Sequence, residues 1–188
     1  TSVPELERAD IILLQEMDEL GTERIAKMLE YNYVYFPASI HRRHLRNFGN
    51  AILSKYRIYD EHKIVLPYED PKSDQRRAAV AAWVDVDGAP VLAISAHTQV
   101  FWFGHKSRRQ EQFRYISDKL DAMADRAIIG GDFNSMLKSD VNFLDVTFAA
   151  HDFQRATQDI GPTHYIGPVG FWLDHLYIKG MDIIESGK

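Results

Sequence analysis

AIIGGDFNS, residues 127–135, holds the transition on which the fold turns. Three apolar residues, Ala127–Ile129, run into two glycines and then into Asp132, Phe133 and Asn134. A short Ile-rich run bounded by Gly reads as a strand covered on both faces. Asp, Asn and Gly favour a tight turn, so polar groups are delivered where the strand stops. The construction recurs upstream, where Ile11–Leu14 ends in Gln15-Glu16 and Val91–Ser95 leads through Ala96 to His97-Thr98. Ala51–Leu53 is a fourth buried run, directly after Asn50. Three buried strands thus each carry a titratable residue at the carboxyl end. In layered α/β proteins ligands sit outside those ends. A carboxylate beside apolar residues is costly to bury unless it is paired or binds a cation.

Helical spacing separates these runs. Thr22, as a cap after Gly21, with Ile25, Met28 and Leu29, predicts one helix. Ser107 with Gln110 opens a second as a capping box, continuing through Phe113, Ile116, Leu120 and Met123. A third covers Val141–Ala149. Residues 78–97, AAVAAWVDVDGAPVLAISAH, hold two strand-like runs around Asp87-Gly88, a hairpin signal. FWLDHLYI (171–178) predicts a late strand. Interspersed helices and strands with one hairpin predict an α/β layered sandwich containing a mixed sheet. No linker or repeat divides the 188 residues, which predicts one domain over 1–188.

Composition narrows the chemistry. The chain has no Cys, which excludes disulfide scaffolds, cysteine zinc sites, iron–sulfur clusters and thiol nucleophiles. The formal net charge of −5 argues against gripping nucleic acid by bulk charge, while leaving a locally basic cleft open. The apolar runs are too short to span a bilayer, and TSVPELERAD lacks the basic and apolar regions of a secretory signal. Taken singly, each polar residue has an ordinary reading: Glu16 as an exposed strand end, His97 as a hydrogen-bonded structural histidine, Asp132-Phe133-Asn134 as a turn. Their coincidence at three strand ends favours a site.

LLQEMDE (13–19), GNAILSK (49–55), ISAHT (94–98), IIGGDFNS (128–135) and LDHLYI (173–178) occur in that order. Together they resemble the endonuclease/exonuclease/phosphatase superfamily, which includes DNase I-like nucleases, apurinic endonucleases, sphingomyelinases and inositol-polyphosphate phosphatases. The resemblance runs from about Asp10 to Ile178. It implies a four-layer α/β sandwich, with two mixed β-sheets packed face to face and helices outside. It also implies a phosphoesterase in which Glu16 binds a divalent cation, Mg²⁺ or Mn²⁺. Asp132 would position or activate the attacking water, and Asn134 would hold a phosphate oxygen. His97 would serve as acid or electrostatic stabiliser, and Asp174 would orient a second histidine. His175 follows Asp174 directly and, on a strand, faces the other way, so it reads as structural. Asn50, within GNAILSK, and Arg76 are the expected substrate-binding residues.

Those residue types suit the reaction independently. In-line attack on a phosphate ester needs charge neutralisation, a base for water and help for the leaving oxygen. The expected partner is a phosphate-ester substrate, either nucleic acid or a phospholipid or inositol phosphate. The family's opening Asn-ending strand and closing Ser-Asp-His motif have no counterpart within residues 1–188, which predicts a chain truncated at both ends and lacking those strands. The rival reading is a non-catalytic binding or scaffold domain of the same fold. Basic residues gather at His41–Arg46, Arg76-Arg77 and Lys106–Arg109, and an aromatic run, Val100–His105, follows His97-Thr98. Packing is the first expectation for those aromatics.

Overall fold

Strands that are apolar on both faces fold only between two covering layers, and the chain supplies both. The computed structural model describes residues 4–41, 46–69, 76–100, 106–120 and 124–187. In order, the elements are α1 (Pro4–Arg8), β1 (Ile11–Met17), α2 (Glu19–Leu29), β2 (Asn32–His41), β3 (Arg46–Ser54) and β4 (Ile58–Glu69). There follow β5 (Arg76–Val86), β6 (Ala89–His97), α3 (Lys106–Leu120), β7 (Ala127–Asp132) and α4 (Lys138–Ala149). Four short strands close the series: β8 (Gln154–Arg155), β9 (His164–Ile166), β10 (Val169–Phe171) and β11 (Asp174–Lys179).

A three-stranded sheet has the order β1-β3-β2 and is antiparallel. A six-stranded sheet has the order β4-β5-β6-β7-β11-β8 and is mixed, because α3 carries the chain from β6 to its parallel neighbour β7. The remaining ribbon is β9-β10. Between the sheets, Ile52 of the smaller one meets Val80, Ala82, Val84 and Ala93 of the larger. On the outer side of the larger sheet, Phe113, Ile116 and Leu120 of α3 and Leu144 and Phe148 of α4 cover Ile94, Ile129 and Tyr177. On the far side, Ala26, Ile25 and Leu29 of α2 cover Ile12, Ala51 and Leu53. The result is the expected four-layer order of helices, sheet, sheet and helices. A buried ion pair, Arg109 Nη2 to Asp140 Oδ2 at 2.9 Å, fastens α3 to α4.

Several local expectations shift. Asp18, not Thr22, caps α2, its Oδ1 accepting the Gly21 N–H at 2.6 Å, and the helix therefore starts before Gly21. Thr22 lies buried in the first turn, its hydroxyl donating to the Asp18 carbonyl. The apolar face of α2 runs along Thr22, Ala26 and their flanks Ile25 and Leu29, which leaves Met28 69% exposed. Helix α3 already includes Ser107, so Ser107 is not its cap, and Met123 lies outside the described residues. Helix α4 begins three residues earlier than expected, at Lys138. FWLDHLYI divides, Phe171 ending the β9-β10 ribbon and Asp174 beginning β11.

Candidate active site

Parallel pairing puts His97, the last residue of β6, directly opposite Asp132, the last of β7. Antiparallel pairing on the other side of β7 puts Asp174, the first residue of β11, opposite the same Asp132. Gly131 makes the first of these possible. A Cβ there would lie 1.9 Å from the Ala96 carbonyl oxygen, so only glycine lets β7 close on β6 at this point.

The smaller sheet contributes Glu16. Strand β1 docks onto β6 through Ser95, whose hydroxyl donates to the Leu14 carbonyl and accepts from Gln15 Nε2, both at 2.9 Å. Its register breaks between Leu14 and Met17, and Glu16 adopts φ 59 within that irregularity. A bulge re-aims a side chain. Glu16 Oε1 stands 3.9 Å from His97 Nε2, and Asp132 Oδ2 stands 3.8 Å from the same nitrogen. The imidazole is 2% exposed, Asp132 26% and Glu16 61%, so the carboxylates grade outward from a buried ring.

Electrostatics follow from that gradient. Burial, with the neighbouring Arg77 charge, holds His97 well below the ordinary imidazole range, so it is neutral at pH 7. Its Nδ1 meets Arg77 Nη1 at 3.2 Å, and Nε2 has no hydrogen-bond partner among the described residues. Burial pushes the Asp132 carboxyl up to about 7, helped by the Asp174 and Glu16 charges and opposed by the Asn134 N–H and Arg77. The turn after β7 is latched. Asn134, at φ 49, donates its backbone N–H to Asp132 Oδ1 at 2.8 Å and one side-chain proton to the Thr98 carbonyl at 3.0 Å. The Thr98 hydroxyl in turn donates to the Phe133 carbonyl at 2.7 Å.

Glu16, His97, Asp132, Asn134 and Asp174 therefore share one end of the sandwich. Asn50 lies beneath them, 1% exposed, its amide donating to the Ala78 carbonyl at 2.7 Å across the two sheets. Arg76 sits in an exposed pair with Glu69 of β4, Nε to Oε1 at 2.6 Å. Arg77, one residue on and marked by the sequence only as half of a basic pair, is the arginine that reaches the site. Strand alternation sends neighbours to opposite faces, but only the β5–β6 register tells which of the two turns inward. His175 is buried against the Phe133 and Tyr177 rings, with Nε2 2.7 Å from the Ser135 hydroxyl. Burial presses its pKa down to about 4. Of the basic stretches, Arg109 is spent on Asp140 and Lys106 meets the Ser139 hydroxyl at 3.0 Å. Residues 42–45 and the aromatics 101–105 lie outside the described residues.

Among the described residues no three His, Asp or Glu side chains close into a complete cation cage. The donor set still fits a hard cation. Glu16 is an exposed carboxylate, and Asp132, its proton affinity raised by burial and by the Asp174 and Glu16 charges, is a second oxygen donor of the type such an ion takes.

The sequence model of the endonuclease/exonuclease/phosphatase family matches residues 3–186. Among solved structures, an endonuclease/exonuclease/phosphatase from Beutenbergia cavernae DSM 12333 superposes with a TM-score of 0.73 at 18% identity. The alignment covers 93% of this chain and 56% of that one, so the chain spans little more than half its length. Sphingomyelinase C from Streptomyces griseocarneus gives a TM-score of 0.70 at 17% identity, covering 94% and 75% of the two chains. D. rerio TDP2 complexed with a single-strand DNA product gives 0.69 at 15%, covering 93% and 72%. At such identities the likeness is one of fold. No curated protein matches the chain.

Proposed function

The chain belongs to the endonuclease/exonuclease/phosphatase family, and on that premise we propose that it hydrolyses phosphate esters by attack of water, assisted by a divalent cation. The observation that carries this reading is the convergence of Glu16 and Asp132, from two different sheets, within 3.9 Å of one buried imidazole nitrogen. Such a cluster is expensive to fold and useful only where charge must be managed.

Each residue then has a task. Asp132, titrating at about 7, is partly ionised at neutral pH, and a base whose pKa lies near the working pH is the efficient one for taking a proton from water. His97 is neutral, so it acts as a fixed hydrogen-bond donor toward a phosphoryl oxygen rather than as an imidazolium acid. Asn134 has spent one amide proton on Thr98 and offers the other to phosphate. Asp174 adds negative charge beside Asp132 and raises its basicity. Glu16 would hold Mg²⁺ or Mn²⁺, which when bound neutralises charge on the phosphoryl oxygens.

We take residues 1–188 as one catalytic domain. Its substrate is a phosphodiester or phosphomonoester, of nucleic acid or of a phospholipid or inositol phosphate. The shared fold with TDP2 bound to a DNA product and with sphingomyelinase C supports either class. The net charge of −5 disfavours a nonspecific DNase. Single-stranded DNA, sphingomyelin vesicles and an inositol phosphate, each incubated with Mn²⁺ or Mg²⁺ and with EDTA, form the test. Hydrolysis of one that EDTA abolishes is the expected outcome. Inertness toward all three would instead favour a binding domain of the same fold.

A further inference from the structure

We propose that Arg77 is a positioning residue which fixes the His97 tautomer, keeping the ring proton on Nε2, where it faces Glu16, Asp132 and the phosphoryl group. A guanidinium carries five N–H donors and no acceptor. Its Nη1 lies 3.2 Å from His97 Nδ1. A hydrogen bond across that gap leaves Nδ1 one role, that of acceptor through its lone pair. In a neutral imidazole the proton then sits on the other nitrogen.

The surroundings hold the arrangement in place. His97 is 2% exposed, so water does not compete for Nδ1. The Arg77 guanidinium lies over the Phe48 ring at 5.5 Å, and that ring packs against His97 at 5.8 Å with a 52° tilt. Phe48 thus braces both members of the pair. On the opposite side of the ring, Nε2 finds no partner among the described residues, while Glu16 Oε1 and Asp132 Oδ2 stand 3.9 and 3.8 Å away. Both distances exceed a hydrogen bond. An N–H held there lies near both carboxylates and is hydrogen-bonded to neither. With the opposite tautomer a lone pair would face the Glu16 carboxylate and the phosphate oxygens, which are acceptors. Arg77 excludes that state.

The role of Nε2 in hydrolysis rests on the function proposed above, whereas the tautomer is measurable without it. In metal-free protein labelled with ¹⁵N, long-range ¹H–¹⁵N correlation separates the two ring nitrogens, because an unprotonated ring nitrogen resonates far downfield of a protonated one. The wild type is expected to show Nδ1 bare and Nε2 protonated for His97. Arg77→Met, which keeps an apolar stem against Phe48, is expected to move His97 toward Nδ1 protonation. On a phosphodiester substrate it lowers kcat by about tenfold or more with KM within about threefold. Arg77→Lys, which retains a donor and the charge, recovers part of both. A wild-type His97 protonated on Nδ1, or an Arg77→Met protein with an unaltered tautomer, overturns the proposal. A pinned tautomer in a protein that hydrolyses no ester supports the positioning role and counts against the hydrolase instead.

Discussion

Glu16 carries two costs, a left-handed backbone at φ 59 and a carboxylate whose charge acts on Asp132, and only one of them depends on its charge. Glu16→Gln keeps the backbone and removes the charge. Because the side chain is 61% exposed, the exchange is expected to change unfolding free energy by no more than about 0.5 kcal/mol. Mn²⁺ affinity, followed by titration calorimetry, falls by about tenfold or more. Unchanged Mn²⁺ binding would remove Glu16 from the role of ligand. Arg77 illustrates the limit of reading single residues. The dipeptide Arg76-Arg77 is plain in the sequence, yet Arg76 pairs with Glu69 and Arg77 meets His97. Which arginine turns inward is settled by the phase of β5 against β6, and strand phase is a property of the pairing rather than of either residue.

Elements were readable to the extent that they are buried. The ends of β1, β6 and β7 announce themselves because both faces of those strands are covered, and an apolar run that stops abruptly is conspicuous. Strands β2 and β4 escape the same reading although β1, also an edge of its sheet, does not. Strand β2 carries Pro37 next to a register shift, and β4 carries Asp60, Glu61 and His62 at its own irregularity, so neither keeps a clean period. FWLDHLYI predicts one late strand over 171–178. Trp172 and Leu173 interrupt it, and the Thr163 hydroxyl accepts the N–H groups of Leu173 and Asp174 at 3.1 Å. The β6–β7 pairing itself rests on one glycine. Gly131→Ala places a methyl against the Ala96 carbonyl and is expected to destabilise the fold by about 3 kcal/mol or more, measured by urea denaturation. Gly88→Ala, where φ is 84 but nothing lies within 4 Å of the added carbon, costs about 1 kcal/mol. Equal losses at the two positions would contradict the close approach of β6 and β7.

Over the whole molecule, the buried titratable groups set opposing pH slopes. His97 and His175 are depressed, so below about pH 6.5 the unfolded chain takes up protons that the folded one refuses, and stability falls as pH falls. Asp132 is raised to about 7 and works the other way. Between about pH 4 and 7 the folded state keeps a proton the unfolded chain has released, which favours folding as pH falls. Asp132→Asn removes that offset. In EDTA, its stability between pH 6 and 5 is expected to decline more steeply than wild type by about 1.4 kcal/mol per pH unit, one proton's worth. At pH 8 the variant is the more stable protein, because no buried carboxylate remains to be charged. An unaltered slope would mean that Asp132 titrates in the ordinary carboxylate range.

The same variant decides whether the site hydrolyses phosphate esters when activity is measured. Release of p-nitrophenolate from bis-p-nitrophenyl phosphate, with Mn²⁺ present and a melting curve confirming that each protein is folded, compares wild type with Asp132→Asn directly. Turnover that EDTA abolishes and that Asp132→Asn lowers by about 100-fold or more is the expected result. Turnover retained by folded Asp132→Asn, or none from the wild type, would contradict a phosphoesterase site at the ends of β1, β6 and β7.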